Sequence, residues 1–441
     1  MRLTLAVLLY IFMALSAFGK GNLSTLIADK GLSHALRDLQ AIPKPSANEH
    51  FAIAGLIFLH SIEKSMQQAY DMGLNLENTD LPILALPIPH NPDPSNFSPD
   101  IIDNIFRRVQ TDMDQARHNL KFINPSDTVS VPIDLADIWF DIDQNGQRSD
   151  SEDILPLLER SMGWNATSRL KDQAGNAKRD WSVTVVFDLA DTAWLHAYTH
   201  FLSAFSDFLL AFSTTGPITE VMTAAVQSQQ LLSLRQVDRF QIDKFIPIID
   251  ILAVFLLTFE QTPDPELTRS TQQHLLQMVA HNRIFWARAA KEADDNLEWI
   301  PNARQTSALG LDLPPNTGAI WLTVLADLEA LVKGQLLLPH WRLGDRAGVN
   351  LGLYLQDPGP LDAVRVLQGS GIMPYAQKGT VFFSDRLKRF NRTFRRNPFS
   401  MMLYLQSYPK RPLPEGYFAT VGNLKTEPPV KARQFGGGYL I

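Results

Sequence analysis

The stretch IWFDIDQNGQRSDSEDILPLLERSMG, residues 138–163, sets the character of the whole chain because it changes period twice. It begins with Ile138, Phe140 and Ile142 alternating with Trp139 and Asp141, a period of two that reads as a strand. It ends with Ile154, Leu155, Leu157, Leu158 and Met162 on one side of a helix, with Gly163 as the stop. Between the two lies a segment dense in oxygen ligands. Asp141, Asp143 and Asn145 offer side-chain oxygens from one turn, and Gln147 offers its backbone carbonyl. Ser149 adds a hydroxyl or a bridging water, and Glu152 supplies two oxygens that close the shell. Gly146 permits the left-handed backbone that folds these groups around an ion. The expectation is a Ca2+ site carried on a strand–loop–helix.

Strand-like runs at 128–133 and 183–187 bracket this loop, so residues 125–190 are expected to form a small mixed insert. Elsewhere the pattern is helical. Ile53, Leu56, Ile57, Ile62, Met66 and Tyr70 recur at steps of three and four over 52–72. Prolines between 82 and 99 forbid a regular helix, after which Ser98-Pro99-Asp100 opens a new one with Ile102, Ile105, Phe106, Val109, Met113 and Leu120 as its stripe. Helices are further expected over 191–213, 219–233, 264–295 and 317–334, and the apolar run 245–259 reads as a buried helix. From 336 onward the chain turns to short helices and irregular turns. The expected fold class is therefore mainly α, a large helical body with a small mixed α/β insert. The regions are a leader (1–19), an N-terminal helical part with a proline-rich crossing (20–124), the insert (125–190), the helical body (191–424) and an extended tail (425–441).

The twelve residues Asp141 to Glu152 resemble the EF-hand calcium loop, with ligands at loop positions 1, 3, 5, 7, 9 and 12 and glycine at 6. The resemblance covers those residues alone. Position 8 is Arg148, where paired EF-hands carry an apolar bridge, and no second loop occurs in the chain, so this one is expected to work singly. Three carboxylates without a partner loop imply a dissociation constant of roughly 10⁻⁵ to 10⁻³ M, suited to a permanently bound extracellular ion. The phrases FDLADTAWLHAYTHFL (187–202) and LLPHWR (337–342) are similar to segments of uncharacterised secreted bacterial proteins, to which no activity attaches.

Arg2, the apolar run Leu3 to Phe18, and small residues at Ala17 and Gly19 read as a secretory signal peptide cleaved after Gly19. An uncleaved anchor is the alternative, though the run is short for a span of about 20 residues. The absence of cysteine removes disulfides, thiolate metal sites and a cysteine nucleophile, so a 45% apolar composition must hold the fold. A net charge of −6 over 441 residues supplies no basic field for nucleic acid. The expected location is the periplasm or the exterior, with a binding or scaffolding role in the envelope.

The competing functional candidate is the helix carrying Asp188, Asp191, His196 and His200. Imidazoles four apart reach one metal ion, and a carboxylate nearby completes or orients the shell, as a metal-dependent hydrolase would need. The same residues also suit a crowded helix in which Trp194, Tyr198 and Phe201 pack around the histidines and the two aspartates cap the N-terminus. Ser61 and Lys64 match Ser-x-x-Lys without the companion motifs of serine acyl-transferases. Arg386, Lys388, Arg389, Arg392, Arg395 and Arg396 form a cationic run that would suit an anionic envelope surface.

Overall fold

A computed structural model describes residues 22–74, 86–162, 167–171, 178, 181–233, 246–310 and 315–382. The leader, the cationic run 386–396 and the expected tail lie outside them. The described residues are mainly helical, with two small antiparallel sheets among them. No helix among the described residues is long and apolar enough to cross a membrane.

The N-terminal half builds on α1 (Asn22–Lys30), α2 (Leu32–Gln40), α3 (Ala47–Asp71) and α4 (Ile101–Leu120). Ser46 caps α3: its side chain accepts from the Glu49 amide while the Glu49 carboxylate accepts from the Ser46 amide at 2.6 Å. The opening of α4 differs from the expected Ser98 cap. The Ser98 hydroxyl bonds the Asp100 carboxylate, and the helix starts at Ile101. Its stripe of Ile105, Phe106, Val109, Met113 and Leu120 is buried as the spacing requires.

The strands β1 (Ser130–Asp134) and β2 (Thr184–Asp188) pair with Ser130 opposite Asp188 and Asp134 opposite Thr184. Between them run the loop and the helix α5 (Leu155–Met162). Val131, Ile138, Phe140, Ile142, Ile154 and Val185 share one core with Ile27, Leu32, Phe51 and Ile57, so this mixed part packs on α1 to α3. The strand expected at 138–142 is reduced to one antiparallel bridge, Trp139 with Asp153. Alternation fails there because Trp139 is buried too, its indole nitrogen donating to the Ile27 carbonyl at 3.0 Å. Gly31, at φ 76°, lets the ring approach: a Cβ there would stand 3.1 Å from Trp139 Cζ2.

The second half adds α6 (Leu189–Phe212), α7 (Thr215–Ser233), α8 (Ile246–Glu260), α9 (Pro265–Ala289) and α10 (Thr317–Val332). Thr271 and Arg288 of α9 bond Ala204 and Leu189 of α6 respectively, so the two helices run antiparallel, and α9 ends six residues before the expected Asp295. Short helices α11 (Leu351–Gln356) and α12 (Ala363–Gln368) and the ribbon of β3 (Ala347–Val349) with β4 (Ala376–Lys378) follow. Buried Asp103 of α4 ties the turn between α6 and α7, accepting from the Ser213, Thr214 and Thr215 hydroxyls and the Thr214 amide at 2.6–3.0 Å. Burial alone would raise its pKa, and those hydrogen bonds hold it below the ordinary value.

The expected burial of one further run is also overturned. The run 245–259 does form a helix, but it is not buried: Ile249, Ile251, Leu252 and Phe255 of α8 are 53–63% exposed. Interrupted by Asp250 alone until Thr258, its apolar surface packs in part along α7, and at its end Phe259 meets Phe212 edge to face.

Candidate metal sites

The loop at 141–152 is folded by its own side chains. Asp141 Oδ1 accepts from the Gly146 amide at 3.0 Å, Asp143 Oδ1 from Asn145 at 3.1 Å, and Asn145 Oδ1 from Gln147 at 2.6 Å. Gly146 sits at φ 71°, the left-handed region its position requires. Glu152, 1% exposed, accepts from the Ile142 amide at 2.8 Å through Oε1 and from the Ser149 amide and hydroxyl at 2.9 and 2.8 Å through Oε2. Oε1 also accepts from the Asp143 amide at 3.4 Å, so each oxygen already takes two donors, and an ion held by Glu152 would displace some of them. Asp141, Asp143 and Glu152 bring one carboxylate oxygen each within 4.8 Å of one another. Asn145 donates Nδ2 to Asp143 Oδ2 at 2.7 Å, so its use as a ligand calls for the amide to be turned. Arg148, at the position where paired loops carry an apolar residue, bonds the Asp153 carboxylate and the Ala136 carbonyl at 2.5 and 2.7 Å.

What holds the loop in place lies on α3. Glu63, Gln67 and Asp71 recur every four residues along that helix. Glu63 Oε2 accepts from the Asp141 amide at 3.0 Å, Gln67 Nε2 donates to the Asp141 carbonyl at 2.6 Å, and Gln144 Nε2 donates to Asp71 at 3.0 Å. Sequence reading missed this stripe, although Glu63, Gln67 and Asp71 at steps of four on one helix face were the signal. Glu63 is 1% exposed, and burial pushes its pKa from 4.5 up to about 7 against the hydrogen bonds from Asp141 and Ser33.

On the α6 helix the structure separates the four sequence candidates. Asp188 and Asp191 form a capping box at its N-terminus, Asp188 Oδ1 accepting from Ala190 at 2.7 Å and Asp191 Oδ2 from the Asp188 amide at 3.0 Å. Asp188 gathers with Glu292 and Glu298, not with the histidines. Burial raises both glutamates to about 7, with the Asp188 charge adding to it, and burial raises Asp191 well above its ordinary value. His196 and His200 instead meet two imidazoles of α9. His196 stacks on His281 with ring centres 3.6 Å apart, and His200 Nδ1 lies 2.7 Å from His274 Nδ1. Ring nitrogens of His196, His200 and His281 come within 4.8 Å of one another. Burial, with Arg117 contributing, holds His196 down to about 3 and His200 down to about 2, and lowers His274 and His281. All four are neutral imidazoles at neutral pH. His274 and His281 are seven residues apart, two turns of one helix face, a spacing that the reading centred on His196 and His200 passed over.

Compared with known proteins, the chain matches no family model, no curated protein and no solved structure. Its function therefore has to be argued from the two sites themselves.

Proposed function

We propose that this is a calcium-binding protein of the periplasm or exterior, with a binding or scaffolding role in the cell envelope and an ion that serves structure. Its ligands are Asp141, Asp143 and Asn145 through side-chain oxygens, Gln147 through its carbonyl, Ser149 through its hydroxyl or a water, and Glu152 through both carboxylate oxygens. The observation that carries the reading is the convergence of three carboxylates within 4.8 Å, one of them fully buried, inside a turn built on a left-handed glycine. Like charges so placed repel one another, and a dication removes the repulsion. A structural role is favoured over a switch because both ends of the loop are tied down. Phe140 bonds Glu152 through its backbone at 2.8 Å, and α3 holds Asp141 from behind.

Ligation of the folded state alone stabilises it by mass action, by about 2.7 kcal/mol when calcium stands at 100 times its dissociation constant. Millimolar calcium added to chelator-treated protein is therefore expected to raise the melting temperature by up to about 3 °C, reached at the tight end of the expected affinity range. Magnesium at the same concentration should do less, since it demands a tighter octahedral shell. Glu152→Gln should remove the calcium shift. A melting temperature indifferent to calcium, or a shift that survives Glu152→Gln, overturns the reading.

A further inference from the structure

The histidine cluster between α6 and α9 is independent of the calcium loop and is built in two layers. In front stand His196, His200 and His281, whose ring nitrogens lie within 4.8 Å of one another. Behind His200 stands His274, with the two Nδ1 atoms at 2.7 Å, and behind His274 stands Asp207, whose Oδ2 is 3.9 Å from His274 Nε2. Asp207 is buried, and that Oδ2 has no hydrogen-bond partner, while Oδ1 accepts from Gln110.

The order of protons along this line follows from what each group can do. Asp207 Oδ2, at 3.9 Å, is too far to hydrogen-bond His274 Nε2, but an acceptor oxygen on that side favours the His274 tautomer with its proton on Nε2, and the protons along the line are those of this tautomer. A neutral imidazole has a single N–H, which makes His274 Nδ1 an acceptor. The short contact at 2.7 Å then requires His200 Nδ1 to donate, and His200 Nε2 is left with a free lone pair. A metal-binding histidine needs that tautomer, fixed by a partner on its other nitrogen. Arg117 acts on His196, His200 and His274 and Arg288 acts on His281, and the Arg117 charge is paired with Asp114 while its Nη1 donates to the Thr199 carbonyl and the Ser203 hydroxyl at 2.9 Å.

We infer that His196, His200 and His281 form a three-imidazole site for a divalent transition metal of the zinc class, with His274 and Asp207 as positioning residues behind His200. Neutral imidazoles select zinc, iron, cobalt or copper over calcium and magnesium, and three of them leave a fourth position open to water. His196 and His281 lie nearly parallel at 3.6 Å, so closing a tetrahedral shell requires a change in the χ2 angle of one ring, a soft torsion.

The test is a zinc(II) titration of the full chain after chelator treatment, in competition with a chromogenic chelator, repeated with cobalt(II) for its visible spectrum. The expected result is one zinc per chain, and a cobalt spectrum with the intense d–d bands of a four-coordinate nitrogen-rich site. His196→Gln and His281→Gln should each weaken zinc binding by at least about 100-fold, and His274→Gln by roughly 10- to 100-fold with stoichiometry kept. Glu152→Gln should leave it unchanged. The wild-type cobalt spectrum decides the case even if a variant fails to fold. Absence of zinc binding, a six-coordinate cobalt spectrum, or zinc binding undiminished in both His196→Gln and His281→Gln overturns the proposal.

Discussion

Phe140→Ala is expected to cost about 4 kcal/mol of folding stability and to take calcium binding with it. The ring is among the largest fully buried side chains and belongs to the core shared by α1 to α3 and the mixed part. Removing it loses the transfer free energy of the ring and leaves a cavity that rigid neighbours fill only in part. The backbone adds a second consequence. Phe140 donates to the Glu152 carbonyl and accepts from the Ile142 amide, both at 2.8 Å, so the residue that anchors the core also closes the neck of the loop. The urea midpoint and the calcium-induced thermal shift should fall together. A loss of less than about 1 kcal/mol would show that the loop is not seated on this core.

Glu63→Gln is expected to act in the opposite direction, raising stability at pH 8 by about 2 kcal/mol in calcium-free buffer. Burial lifts the Glu63 pKa from 4.5 to about 7, so the folded chain holds a proton that the unfolded chain releases. The stability contributed by that proton is complete below pH 4.5 and is lost as the pH rises through about 7. At pH 8 the folded state must ionise a carboxyl that is 1% exposed, at a cost of about 3 kcal/mol, and glutamine never incurs it. Glutamine can still accept from the Asp141 amide, and its NH₂ can donate to the Ser33 hydroxyl, which preserves most of the local bonding. Urea unfolding of both proteins at pH 5 and pH 8 checks this. The wild type should lose stability between the two values and the variant should lose much less. A variant less stable than wild type at pH 8 would mean that the fold favours the Glu63 carboxylate instead of penalising it.

The helices were legible because their signals are local. Period located α6 and α10 within about two residues and the end of α3 within one, while the Ser46 cap that starts α3 at Ala47 was missed and its start was read five residues late. The fold of the loop at 141–152 was legible for the same reason, its left-handed Gly146 and self-bonded Asp141, Asp143 and Asn145 lying within a few consecutive residues. Groups that act across elements were not. Glu63 and Gln67 meet Asp141 across more than seventy residues, and His274 meets His200 across 74, so no local pattern announces either pairing. The assignment of Asp188 and Asp191 to the histidines failed through geometry. Both lie at the N-terminus of α6, where orphan amides claim their oxygens before any metal could. The buried reading of α8 failed because apolar composition records only a demand for cover, and among the described residues α7 and the Phe212 contact leave Ile249, Ile251, Leu252 and Phe255 exposed.

The central claim is that the loop binds one calcium ion through Glu152, and equilibrium dialysis against radioactive calcium tests it most directly. One calcium per chain is predicted, with a dissociation constant of roughly 10⁻⁵ to 10⁻³ M in the wild type and no saturable binding in Glu152→Gln. Wild-type protein that retains no calcium above the dialysis background at millimolar concentration, or a Glu152→Gln protein that binds as tightly, would contradict it.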